Sequence, residues 1–127
     1  MRVLLDTQVL YIATGITEAK FSKRVTDTLE DPNNERLLSS VSIMEIATKH
    51  LRGLTTMTEA HVHQAAADLR LTIIPFAPQH AYRLFKLPQH HRDPFDRMLI
   101  ATALVEGVPI VSSDTQFKRY KGLTVLW

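Results

Sequence analysis

The chain has 127 residues, 45% hydrophobic and 22% charged, which suits one domain with a single core and excludes a disordered segment. It has no cysteine, so disulfides and thiolate zinc sites are out, and no apolar run reaches the roughly 18 residues that a membrane helix needs. Lys and Arg number 15 against 13 Asp and Glu, a net charge of +2 that is too mild by itself to point to nucleic acid.

Met1-Arg2 leads directly into Val3-Leu4-Leu5, without the length or the small-residue cleavage site of a secretory leader, so a cytoplasmic location is expected. Residues 2–5 form a short apolar run that ends in Asp6 and reads as a buried strand. Val9, Leu10 and Ile12 follow on a first helix that Gly15 can stop. Phe21, Val25 and Leu29 recur at i, i+4 and i+8, which predicts a helix over 18–30 ended by Pro32. Leu37 and Leu38 begin a second strand. Ser42 and Glu45 have the S-x-x-E spacing of a capping box, which predicts a helix capped by Ser42 with Glu45 in its first turn and Gly53 at its end. Ile43, Ile46 and Ala47 supply its apolar face.

Thr58 opens another helix, with Val62, Ala65, Ala66 and Leu69 turned inward. Residues 71–76 read as a third strand, 79–86 as a short helix and 88–92 as a loop. Asp93-Pro94 starts a helix in the favoured way, with Asp as cap and Pro at the first helical position. Met98, Leu99, Ile100, Ala103 and Leu104 carry it to Gly107. A strand over 109–111, a helical turn over 115–120 and a strand over 123–126 close the chain. Strands alternate with helices, and the strands are continuously apolar, as when both faces are covered. The predicted fold class is α/β: one domain spanning 1–127, in three α/β/α layers, with a mostly parallel central sheet.

Four acids stand beside apolar segments: Asp6, Glu45, Asp96 and Asp114. Asp6 and Asp114 close strands, and the carboxyl ends of strands are where open parallel sheets bind ligands. Glu45 and Asp96 sit in first turns that can fall at the same edge. Two carboxylates about 5 Å apart repel by roughly 3 kcal/mol at an effective dielectric of about 20. Four gathered together must take up protons or bind a divalent cation, and hard oxygen donors select Mg²⁺ or Mn²⁺. Such a site suits metal-assisted hydrolysis of a phosphodiester. Lys49, Arg92, Arg97 and Lys118 lie near these acids in sequence and are candidate contacts for a phosphate backbone.

Each acid also has a simpler reading. Asp93 is a helix cap, Asp96 favours the helix dipole, and Glu45 completes a capping box. The case rests on the set. The six histidines add little. His90 and His91 are adjacent and diverge on any regular element, and His61 with His63 lacks the spacing of helical ligands. A His metal site is not expected, and a metal-free ribonuclease working through His91 is the rival reading. With 4 Gly there is no phosphate-binding loop. A phospho-receiver would want an acceptor Asp ending the third strand, which here reads Ile73-Ile74-Pro75-Phe76.

The segments VLLDTQVL, VSIMEIATKH, HHRDPFDRMLIATAL and VSSDTQF resemble, in order, the motifs of PIN-domain ribonucleases, specifically the VapC-type toxins of VapBC toxin–antitoxin modules. The resemblance covers the whole chain, and the third segment is its most specific part. It implies Asp6, Glu45, Asp96 and Asp114 as catalytic, metal-binding acids, with Asp96 rather than Asp93 as the third, because Asp96 aligns with the Asp before the family's LIA-x-A segment. Thr7 and Ser112 would place hydroxyls near the metal, and Phe117 is the usual aromatic. Gln8 stands where relatives often have His, Ser or Asn, Met44 where they often have Trp, and Ser112 where Thr is usual. These departures bear on substrate choice, since no carboxylate is lost.

The implied protein is a Mg²⁺- or Mn²⁺-dependent endoribonuclease acting on RNA. It would form a homodimer and be held inactive by a cognate antitoxin that fills the groove over the site. The helix around Phe21, Val25 and Leu29, or that around Val62 and Leu69, would present the apolar surface. A non-catalytic RNA- or protein-binding module and a structure-specific DNA nuclease are the alternatives. The chain shows no arch or DNA-clasping insertion for the latter.

Overall fold

Val3, Leu4 and Leu5 are wholly buried, because strand β1 (Arg2–Leu5) runs through the middle of the sheet. A computed structural model describes every residue from 1 to 127. After β1 come α1 (Thr7–Ala13), α2 (Lys23–Glu30), β2 (Glu35–Ser39), α3 (Ser40–Leu51), α4 (Glu59–Asp68) and β3 (Leu71–Ile74). Then follow α5 (Pro78–Arg83), a 3-10 turn over Leu84–Lys86, α6 (Pro94–Glu106), β4 (Ile110–Val111), a 3-10 turn over Thr115–Arg119 and β5 (Val125–Leu126). The sheet has 5 strands in the order β3-β2-β1-β4-β5, and every neighbouring pair is parallel. In register, Leu4 lies beside both Leu37 and Ile110.

Alternation along β1 divides the core between two faces. Leu4 joins Leu37, Leu99, Ile100, Ile110 and Phe117 on one side. Val3 and Leu5 join Val9, Val25, Leu29 and Val111 on the other. A third cluster, Leu10, Leu38, Ile46, Met57, Val62 and Ala65, packs α3 and α4 against the sheet. The three-layer α/β/α architecture follows. The chain winds from β1 outward to β3, then returns to the other side of β1 to add β4. That reversal makes the carboxyl ends of β1 and β4 the switch point where parallel sheets open a crevice. No helix is long and apolar enough to cross a membrane.

Four local expectations need correction. The second helix begins at Lys23 rather than 18, because the Ser22 hydroxyl accepts the Val25 N–H at 3.2 Å and caps it there. Phe21 keeps the apolar period yet lies outside the helix, packed edge-on against Trp127. The third helix is capped by Ser39, which accepts the Val41 N–H at 3.1 Å, so Ser42 is inside the helix and Glu45 falls in its second turn. Its Ala47 is exposed rather than part of the apolar face. The third strand stops at Ile74, and Thr72 and Ile73 are exposed because β3 is an edge strand. By contrast, the last long helix starts as read: Asp93 accepts the Phe95 N–H at 2.8 Å, Pro94 follows, and Gly107 closes it at φ +66.

Candidate active site

Asp6 is the first residue beyond β1. Its backbone caps α1 but its carboxylate makes no capping bond, and the side chain is free to turn into the crevice. There it is almost fully buried, and Oδ2 accepts a 2.7 Å hydrogen bond from the Ser112 hydroxyl. Ser112, just past β4, in turn accepts the Asp114 N–H at 3.1 Å. One hydroxyl therefore ties the ends of both central strands together.

Thr7 opens α1, and its Oγ1 lies 2.9 Å from both Ser42 Oγ and Glu45 Oε1. A hydroxyl has one proton, so Thr7 donates to the carboxylate and accepts from Ser42. Glu45 is buried, and its Oε2 takes a 2.7 Å bond from Lys49 Nζ one turn on. Asp114 accepts the Gln116 N–H through Oδ1 at 2.9 Å, and its Oδ2 sits 3.0 Å from His91 Nε2. Asp96 lies half-buried in the first turn of α6.

The acids feel one another. Asp6 is raised from 3.8 to about 6, mainly by burial; the Ser112 bond opposes this, and Glu45 and Asp114 add to it. Asp96 is raised to about 7, again mainly by burial, then by the charges of Asp93, Asp6, Glu45 and Asp114. Residues far apart in sequence thus gather at one sheet edge. Lys49 is the only cation in direct contact with them.

Ligand atoms of His91, Asp96 and Asp114 all lie within 4.8 Å of one another. Carboxylates that hold their protons this tightly are oxygen donors that fit Mg²⁺ or Mn²⁺, and His91 stands beside Asp96 and Asp114. Asp93 stays exposed and caps α6.

The basic candidates divide. Lys49 is paired with Glu45. Arg97 donates to the carbonyls of Pro88 and Leu87 at 2.8 and 3.2 Å, so it holds the loop before α6. Arg92 and Lys118 are exposed. His91 is the residue that spacing rules passed over: loop 88–92 is irregular, so the divergence of adjacent side chains on a helix or strand does not apply. Its one sequence signal is position, two residues before the cap of the helix that carries Asp96.

A family model described as "PIN domain" matches residues 3–123. No curated protein matches the chain. Among solved structures, VapBC2 from Rickettsia felis bound to a promoter DNA fragment matches with TM-score 0.73 and 20% identity, covering 99% of this chain and 98% of that one. DNA-bound VapBC from Salmonella typhimurium matches with TM-score 0.65 and 17% identity over 99% and 97%. FitAcB from Neisseria gonorrhoeae matches with TM-score 0.64 and 20% identity over 98% and 96%. At these identities the structures speak for the fold, whereas the family model runs from β1 past the last 3-10 turn and takes in all four acids. The chain belongs to the PIN-domain family.

Proposed function

We propose that this protein is a Mg²⁺- or Mn²⁺-dependent endoribonuclease and the toxin of a toxin–antitoxin pair. The observation that carries the reading is the cluster itself: Asp6 and Asp96 raised to about 6 and 7 beside Glu45 and Asp114, at the switch point of a PIN fold. Asp6, Glu45, Asp96 and Asp114 would hold the cation. When bound, it supplies an acidified water and neutralises charge on the scissile phosphate.

The chain's own part is orientation. Ser112 fixes Oδ2 of Asp6 at the end of β1. Thr7 and Lys49 engage both oxygens of Glu45, which suits a carboxylate that acts through a water. Arg92 and Lys118 are the exposed cations placed to meet backbone phosphates.

RNA, rather than DNA, is favoured by the resemblance and by the lack of a DNA-clasping insertion. Incubating the protein with single-stranded RNA and DNA of one sequence tests this. RNA cleavage is expected, lost with a chelator and restored by Mn²⁺. Cleavage that survives chelation would favour the His91 rival, and no heat of Mn²⁺ binding would favour a non-catalytic module.

The antitoxin belongs to the same proposal, supported by the VapBC assemblies that share the fold. Of the two surfaces the sequence offered, the one at α2 opens on a groove that Thr26, Glu30, Arg36 and Asp68 make largely polar around Phe21 and Leu29. Between α3 and α4 lies a groove of about 500 Å³ lined by Ile43, Ile46, Leu51, Met57, Val62 and Ile73. An apolar face of an antitoxin helix fits it. Leu51 is 85% exposed, so Leu51→Glu should leave the fold intact. It is expected to abolish co-purification with the product of a small reading frame beside the gene. Retained co-purification would move the interface elsewhere. Homodimerisation is proposed on the resemblance, and light scattering checks it.

A further inference from the structure

His91 is held on every side. Its side chain is 8% exposed. The ring stacks on Tyr120 at 5.5 Å and meets Phe117 edge-on at 5.0 Å, and both partners are buried. Nδ1 lies 2.9 Å from the Tyr120 hydroxyl, and Nε2 lies 3.0 Å from Asp114 Oδ2. The tautomer follows from donor counting. Asp114 is a carboxylate and can only accept, so the 3.0 Å contact needs the hydrogen on Nε2, and Nδ1 of the neutral ring accepts the Tyr120 phenol proton.

Two parts of the site meet through this ring. His91 belongs to the loop that delivers α6 and Asp96, and Arg97 fixes the start of that loop through Leu87 and Pro88. Phe117, Tyr120 and Asp114 belong to the turn after β4. With Gln116 N–H on Oδ1 and His91 on Oδ2, Asp114 has one orientation.

We propose that His91 is a positioning residue: fixed by Tyr120, it donates Nε2–H to Asp114, orients that carboxylate and sets its spacing from Asp96. This rests on the metal-binding reading of the four acids. Groups that orient metal-binding side chains typically change affinity by about 10–100-fold when removed.

The test is Mn²⁺ affinity by calorimetry, with thermal melting of every variant. His91→Leu keeps the apolar packing against Phe117 and Tyr120 but cannot donate, and is expected to bind Mn²⁺ about 10–100-fold more weakly. His91→Gln, which restores an N–H donor, should recover most of that loss. Tyr120→Phe keeps the stack and frees the tautomer, so a smaller loss is expected, and it serves as well if His91→Leu does not fold. A purely structural role predicts lowered melting without the Gln rescue of affinity, and that result overturns the proposal. So does a directly bound imidazole ¹⁴N in pulsed EPR of the Mn²⁺ form, which would make His91 a ligand. Unchanged affinity in His91→Leu beside normal wild-type binding overturns this inference alone. Wild-type protein that binds no Mn²⁺ overturns the metal reading and this inference with it.

Discussion

Asp6→Asn is expected to lower RNA cleavage by about 10²–10³-fold, the cost of removing one preorganised electrostatic group from a catalytic site. The same substitution should make the metal-free protein more stable at pH 8, by about 1–2 kcal/mol. The reason lies in where Asp6 sits. The carboxylate is 7% exposed, faces Glu45 and Asp114, and is raised from 3.8 to about 6. At about 1.36 kcal/mol per pKa unit, that corresponds to about 3 kcal/mol against the charged form. Asn has nearly the same shape and no charge. The Ser112 bond to the charged form is already part of that net figure, and Asn recovers only part of it because its NH₂ replaces a second acceptor oxygen in the crevice.

A structural residue replaced in this way would lose stability and keep activity; a site residue does the reverse. Cleavage assays and thermal denaturation at pH 8 check the two halves separately. Asp6→Asn protein that cuts RNA at the parental rate would remove Asp6 from the site. Asp6→Asn protein that melts earlier at pH 8 would mean that the charge is not a liability there.

How much of this was legible in the sequence depends on whether the cause was local. The start of α6 was readable because Asp93 and Pro94 act on their own next few residues. The start of α3 was not, because Ser39, Ser40 and Ser42 are comparable caps in sequence. The choice among them falls to the sheet: β2 stays paired with β3 through Ser39 opposite Ile74, so the helix starts directly after. That shift moves Glu45 into the second turn, where it meets Thr7 and Lys49.

Asp6 directly follows β1, as read, whereas Asp114 lies three residues beyond the end of β4 and caps the turn after it. The convergence of all four acids was inferred from topology, and the sheet order supplies the topology. His91 was legible only as the residue of a rival metal-free reaction, and its contacts with Asp114 and Tyr120 were not. Its neighbours Phe117 and Tyr120 lie in the turn after β4, and nothing in the spacing of loop 88–92 announces them.

The same buried charge gives the metal-free protein an unusual response to pH. Asp6 and Asp96 bind protons more tightly folded than unfolded, with values of about 6 and about 7 against an ordinary 3.8. Between those limits the folded state holds more protons, so unfolding free energy falls as pH rises. Below about pH 4 both states are protonated and the penalty is absent; above about pH 7 it is complete. Asp6 alone accounts for about 3 kcal/mol of this, and Asp96, being more exposed, adds in the same direction. A divalent cation reverses the trend, because it binds the deprotonated acids and competes with protons for them.

Melting temperature without metal is therefore expected to drop between pH 5 and pH 8. Mn²⁺ should raise it strongly at pH 8 and little at pH 5. In Asp6→Asn both the drop and the Mn²⁺ response should shrink. Calorimetry at the two pH values, with and without Mn²⁺, decides it. A metal-free protein that gains stability from pH 5 to pH 8 would mean that Asp6 and Asp96 are neutralised by something other than a cation. The crevice at the ends of β1 and β4 would then be a polar core and not a catalytic site.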